Sequence, residues 1–304
     1  MKKAFIFPGQ GSQKVGMGKE IYDNHKAARE VFEEVNDSLS KNLSDIIFNG
    51  PQEKLTLTEN AQPSIMCVSM AVMRVLEEEF KFNTRDYISY FAGHSLGEYT
   101  ALACSNKISL KECSTILKIR GELMNNAVID IDTGMAALIG KDSDYIQKII
   151  NDNNLDIEIA NDNSPFQIVI SGEKKELNKS KDLFLNMGIK KFLVLNVSAA
   201  FHSRFMNHAQ EKLSEPINLL NFVENKISII SNYDANNYND IVSIKKNLQL
   251  QMANRVRWTE SIKKLEEIGE KDILEFGPGK VLGGLINRIS KNFYIKSINT
   301  IEDL

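Results

Sequence analysis

The sequence predicts an α/β fold, and three observations carry that prediction. Short apolar runs alternate with amphipathic stretches of helical period, which is the pattern of a mostly parallel sheet covered by helices. The middle of the chain changes rhythm to strand-helix-strand-strand-helix-strand. The 304 residues are 42% hydrophobic and 25% charged, with only 6 prolines and 17 glycines, a globular composition long enough to bury a large core.

In chain order, residues 4–7, 87–92, 227–231, 273–276 and 293–298 read as strands, and residues 26–39, 63–80, 99–104, 110–124 and 263–268 as helices. Pro63 is expected in a first helical turn, where its missing N–H would have been unpaired anyway. In the middle, strands are expected at 133–140, 155–160, 166–171 and 189–196, with helices at 142–151 and 173–187. The polar string Asn161-Asp162-Asn163-Ser164-Pro165 reads as a turn between the second and third of these strands. That order is the split βαββαβ unit of ferredoxin-like domains. A small domain over 129–198 is therefore expected, inserted into a large domain built from 1–128 and 199–304.

Charge and cysteine usage exclude several classes of function. With 37 basic against 40 acidic residues the net charge is -3, so no surplus exists to hold a nucleic-acid backbone. The opening apolar run is ended by Pro8-Gly9-Gln10-Gly11, far short of a secretory leader, and no later run is long enough to span a membrane. Cys67, Cys104 and Cys113 are odd in number and lack C-x-x-C spacing, so buried thiols in a cytoplasmic protein are expected. His25, His94, His202 and His208 have no ligand spacing, and no metal is expected.

The sharpest chemical signal is Gly93-His94-Ser95-Leu96-Gly97, between a predicted strand and an apolar helical run. A tight strand-to-helix turn needs small residues beside the serine, and it presents the hydroxyl where free N–H groups can stabilise an oxyanion. A second reading fits the same residues: Ser95-Leu96-Gly97-Glu98 is also a capping-box pattern, in which Ser95 only caps a helix. The preceding strand favours the elbow. Other glycine clusters fail as nucleotide motifs, because Lys14 and Met17 stand where the dinucleotide and phosphate-loop patterns need glycine and lysine. Gly277-Pro278-Gly279 reads as a structural turn.

Three separated strings resemble one family. Phe7-Pro8-Gly9-Gln10-Gly11-Ser12-Gln13, Gly93-His94-Ser95-Leu96-Gly97-Glu98-Tyr99 and Glu275-Phe276-Gly277-Pro278-Gly279-Lys280-Val281-Leu282 are similar to those of the malonyl-CoA:acyl-carrier-protein transacylases, acyltransferases of fatty-acid and polyketide synthesis. The resemblance runs from Phe5 to about Arg288. It implies a hydrolase-like large domain with a ferredoxin-like small one.

The resemblance also implies roles for individual residues. Ser95 would be the acyl-accepting nucleophile and His202, in Ala199-Ala200-Phe201-His202-Ser203, its base, since a serine hydroxyl is weak unless an imidazole takes its proton. Alone, His202 would read as an ordinary structural histidine. Gln251 would orient His202 where hydrolases use a carboxylate. The backbone N–H groups of Gln10 and Leu96 would form the oxyanion hole, one such donor contributing about 3 kcal/mol. Arg120 would grip the malonyl carboxylate through two parallel charge-assisted bonds, each contributing about 1.5 to 3 kcal/mol. Without the resemblance, Arg120 would read as a helix-surface arginine paired with Glu122 or another acid, Gln251 as a solvated helix residue and Gln10 as a turn residue. Gln62 matches a pocket position, although helix packing explains it as well. Phe201 marks the malonyl-selective variant, under which methylmalonyl should fit worse. Ala200 and Arg255 depart from the family pattern, where relatives usually carry proline.

Malonyl-CoA and holo acyl carrier protein are the implied partners, with CoA as product and no bound cofactor. Lys190, Lys191 and Arg204, with Lys179 and Lys181, could form a basic patch for an acidic carrier protein, or merely a solvated surface. The activity expected is a cytoplasmic ping-pong malonyltransferase, and nothing demands more than a monomer. Two rivals remain: a serine hydrolase or thioesterase using the same elbow, and an inactive docking protein that keeps the fold.

Overall fold

The computed structural model of the protein describes residues 3–82, 88–128 and 130–303. Met1, Lys2, Tyr87 at the start of one expected strand, and Ile129 at the expected start of the insert lie outside the described residues. Among the described residues ten strands are formed: β1 (Lys3–Phe7), β2 (Ile88–Gly93), β3 (Thr133–Ile139), β4 (Ile157–Ser164), β5 (Gln167–Glu173), β6 (Lys191–Val194), β7 (Ser228–Ile230), β8 (Asn237–Tyr238), β9 (Asp272–Phe276) and β10 (Tyr294–Ile298).

The larger sheet has the order β10-β9-β1-β2-β7-β8 and is parallel except for the short antiparallel edge strand β8. Its central strand shows why the sequence reads as it does. Ala4 and Ile6 pack on one face with Trp258, Ile262 and Ile286, whereas Phe5 and Phe7 pack on the other. A strand covered on both sides is apolar at every position. Phe5 lies 5.2 Å from Phe91 and 4.5 Å from Phe276, ring centre to ring centre, tying β1 to its neighbours β2 and β9.

The smaller sheet, β4-β5-β3-β6, is antiparallel throughout and has the connectivity expected of the βαββαβ unit. Helices Ser143–Asp152 and Lys174–Asn186 cover one face, against Ala136, Leu138, Ile168 and Ile170. By strand alternation Met135, Ala137 and Val169 point the other way, into a cleft facing the larger sheet.

Several elements differ from expectation. The expected turn at 161–165 is strand as far as Ser164, with irregularities in register on either side of Asn161 and Asp162. Asn161 and Asn163 line the cleft, so this stretch is polar because it borders a site. The helix expected to open at Pro63 begins at Thr58 and runs to Glu78, which places Pro63 inside it. Nearly every residue from Thr58 to Leu76 is buried there, and that packing outweighs the backbone bond that proline cannot make. Helices at Leu43–Asn49, Asn207–Asn218, Ile241–Gln251 and Val281–Ile289 were not apparent from periodicity. Among the described residues no helix is long and apolar enough to cross a membrane, and no cluster of three or more His, Cys, Asp or Glu could hold a metal ion.

Candidate active site

The three family-like strings are distant in sequence but become neighbours, because each is the loop leaving the carboxyl end of one of the adjacent strands β1, β2 and β9. That end of a parallel sheet is where ligands bind in open α/β folds. The loops touch closely. A Cβ on Gly93 would lie 1.9 Å from the Gly97 carbonyl oxygen, one on Gly97 2.3 Å from the Phe7 oxygen, and one on Gly277 3.0 Å from the Pro8 ring. Glu275 is buried beneath and accepts the Leu282 and Gly283 N–H groups, capping the helix Val281–Ile289. Gly93→Ala is accordingly expected to destabilise the protein by about 3 kcal/mol and lower its thermal midpoint by about 5 °C. An unchanged melting curve would contradict this packing.

Ser95 occupies the turn between β2 and the helix Leu96–Cys104, with φ 54° and ψ -108°. Such a backbone costs about 1 to 3 kcal/mol and needs support from its surroundings. Its side chain makes no cap hydrogen bond, so the capping reading is not realised. The Oγ instead lies 2.8 Å from His202 Nε2. His202 Nδ1 is 3.2 Å from the main-chain oxygen of Gln251. A carbonyl can only accept, so Nδ1 carries the proton and Nε2 is left to accept from the Ser95 hydroxyl. Burial, and then the nearby Arg120 charge, lower the His202 pKa to about 3 and keep the ring neutral. Because the unfolded ring binds a proton below about pH 6.5, this histidine subtracts stability as pH falls from there toward 3.

Gln251 therefore meets His202 through its backbone oxygen, at the place where hydrolases use a carboxylate. Its side chain is buried, not solvated, and accepts from Arg120 through Oε1 at 3.0 Å. Arg120 is also fully buried, and Glu122 pairs with Lys118 instead. The guanidinium donates to Gln62 Oε1 at 2.7 Å and to Ser95 Oγ at 3.0 Å, and stacks 5.4 Å from the centre of Tyr99. Among the described residues its Nε has no partner. A buried cation held by neutral groups is a ready receptor for an anion.

Ser95 and His202 open onto a cleft of about 380 Å³, lined also by Gln10, Phe201, Met135, Val169 and Leu195. Leu96 begins the following helix, where first-turn N–H groups lack helical acceptors. The Phe201-His202 segment is pinned to the small sheet, since Ser171 Oγ donates to the Phe201 oxygen and the Ala200 N–H donates to Thr133 Oγ1 at 3.1 Å. Proline at position 200 could not make the second bond, so this departure adds a tether. Arg255 lies beside a hollow of about 260 Å³ behind His202. Lys190 and Lys191 are exposed. Arg204 differs from expectation: Glu158 and Asp156 pair with its guanidinium, which removes it as a free cation for docking.

Sequence reasoning missed Asn232, the His94–Asn163 contact and the buried acceptor Glu98. Asn232, just beyond β7, accepts the Ser95 N–H and donates to the Gly93 oxygen, while His94 meets Asn163 at 2.8 Å. The position of Asn232 at a strand's carboxyl end was the available signal. Glu98, weighed only as half of a capping box, is buried and accepts from Gln251 and Asn232.

A neutral histidine bonded to a buried serine at a strand-to-helix elbow is the equipment of covalent acyl transfer. The chain belongs to the acyl transferase domain family, whose profile matches residues 4–288. It is 40% identical to the malonyl CoA-acyl carrier protein transacylase of Bacillus subtilis (strain 168), over all of this chain and 95% of that one. The crystal structure of an acyl-carrier-protein S-malonyltransferase from Bartonella henselae superposes with a TM-score of 0.96 at 42% identity, covering 100% of this chain and 97% of that one. A malonyl-transacylase solved in complex with its type II polyketide-synthase acyl carrier protein matches with a TM-score of 0.94 at 33% identity, covering 100% and 97%. The resemblance carried by the three strings thus extends over the whole chain.

Proposed function

We propose that the protein moves a malonyl group from CoA to the phosphopantetheine thiol of acyl carrier protein in fatty-acid synthesis, through a malonyl-Ser95 ester. The observation that carries this is the meeting of the His202 imidazole and the Arg120 guanidinium on one serine oxygen, at 2.8 and 3.0 Å. Ser95 Oγ attacks the thioester carbonyl while His202 Nε2 takes its proton, and the tetrahedral oxyanion sits against the Gln10 and Leu96 N–H groups. The C–S bond breaks and CoA leaves with the proton from His202. The carrier thiol then gives its proton to His202 and attacks the ester carbonyl, and the returning Ser95 oxygen takes that proton back.

Arg120 turns its donors to the malonyl carboxylate, Gln62 holds the guanidinium in place, and Phe201 narrows the space beside the α-carbon. Thioester to ester to thioester needs no bound cofactor. The segments 1–128 and 199–304 supply the nucleophile, base and arginine as one domain, and the inserted 129–198 supplies the opposite wall of the cleft. The protein acts as a cytoplasmic monomer on this reading, in keeping with its three free, buried cysteines. The hydrolase alternative asks for a triad acid, and His202 Nδ1 faces a carbonyl instead.

Intact-mass measurement after brief mixing with malonyl-CoA tests the proposal: one malonyl adduct should form and pass to added holo carrier protein. Decay to free malonate regardless of carrier would favour the hydrolase. Lys190 and Lys191 are exposed, and reversing both to glutamate is expected to raise the carrier-protein KM by about tenfold, leaving the rate of self-acylation unchanged. Unchanged carrier kinetics would remove them from the docking surface.

A further inference from the structure

The peptide groups on either side of Ser95 are gripped by two side chains from outside the elbow. Asn232 Oδ1 accepts the Ser95 N–H at 2.7 Å, and its Nδ2 donates to the Gly93 oxygen at 2.8 Å. Gln251 Nε2 donates to the Ser95 oxygen at 2.9 Å. Both residues are tied to a single buried atom, since Glu98 Oε2 accepts the Asn232 N–H at 3.0 Å and Gln251 Nε2 at 2.7 Å. The other end of the Gln251 amide accepts from Arg120, so one carboxamide links the buried cation to the buried acid. A serine at φ 54° and ψ -108° keeps that conformation only where its neighbours over-determine it.

We propose that Glu98 is the positioning residue of the elbow: by anchoring Asn232 and Gln251 it holds the strained Ser95 backbone in its reactive geometry and supplies countercharge to Arg120 before an acidic acyl group arrives. This rests on Ser95 being the acyl-accepting nucleophile. Glu98 touches no reacting atom and acts only through its two partners. A carboxylate suits the task because one oxygen must accept two donors, and its charge offsets a guanidinium that, among the described residues, has no direct ion pair.

Burial raises the Glu98 pKa to about 7, against the opposing pull of Gln251, Asn232 and Arg120. The groups that face it are Arg120 from the helix Leu110–Asn126, Asp234 from the loop after β7, and Tyr99 beside it on its own helix. His202 lies across the guanidinium and is neutral throughout this range. Ionised Glu98 accepts both donors fully, so Ser95 becomes more reactive as pH rises through neutrality, and less so as the acid is protonated below it.

The test is labelling by a fluorophosphonate, which reports an activated serine without requiring malonyl binding or carrier protein, followed by intact mass from pH 5.5 to 9. Wild type is expected to take one label on Ser95 at a rate that rises several-fold through neutral pH. Glu98→Gln is expected to label at least tenfold more slowly with a flat profile, and Glu98→Asp at an intermediate rate with the slope retained. Labelling of Glu98→Gln within twofold of wild type, with the slope kept, overturns the proposal. If Glu98→Gln lacks a native near-UV spectrum, the other two proteins decide: a flat wild-type profile, or Glu98→Asp labelling as fast as wild type, overturns it. No label on wild-type Ser95 rejects the nucleophile itself, a result distinct from any of these.

Discussion

In Ser95→Ala, no malonyl adduct is expected by intact mass, and transfer to holo carrier protein should fall by at least ~10³-fold. The Oγ is the one atom shared by the two groups that make acyl transfer possible there, His202 and Arg120. Removing it leaves an imidazole with no proton to take. No cysteine can substitute, because Cys67, Cys104 and Cys113 are all buried and burial pushes each thiol far above its usual pKa. The variant should still fold, since alanine keeps the Cβ that the elbow already accommodates. A surviving adduct in this variant would mean that another group carries the acyl chain.

Arg120→Ala is expected to lower kcat/KM for malonyl-CoA by about 10² to 10⁴, the loss of two charge-assisted bonds of about 1.5 to 3 kcal/mol each. Acetyl-CoA, which has no carboxylate to offer, should lose less than about tenfold. The physical ground is that Arg120 is fully buried, its hydrogen-bond partners are neutral and, among the described residues, its Nε has no partner, so an arriving carboxylate meets donors held in a desolvated site. Arg120→Lys should recover only part of the selectivity, because a point charge cannot form two parallel bonds. The ratio of malonyl to acetyl kcat/KM reads this directly. An equal loss for both acyl groups would place the role of Arg120 on Ser95 alone, which it also touches.

Much of the fold could be read from local pattern. Ala4-Phe5-Ile6-Phe7 is a doubly buried parallel strand on its face, and it is one. The order of elements between Thr133 and Val194 is the one the periodicity implies. Local reading failed where burial acted from outside the segment. The polar stretch Asn161 to Ser164 is strand because a cleft borders it, and Pro63 stays within a helix because the residues around it are enclosed on nearly all sides. Arg204 looked like a free cation until Asp156 and Glu158, on and before β4, were brought against it.

What the sequence by itself determined is the α/β class, the elbow around Ser95 and the family to which the chain belongs, because each depends on residues within a few positions of one another or on short strings matched as such. Only the tertiary structure decided which atoms meet. Ser95 is separated from His202 by 107 positions, from Asn232 by 137 and from Gln251 by 156. Those meetings depend on the register of β1, β2, β7 and β9 and on the loops leaving their carboxyl ends, which no local pattern encodes. For the same reason Gln251 turned out to serve His202 through its carbonyl, Arg120 through its amide oxygen and Ser95 through its amide nitrogen. A side chain's type announces what it can donate or accept, and packing selects the partner.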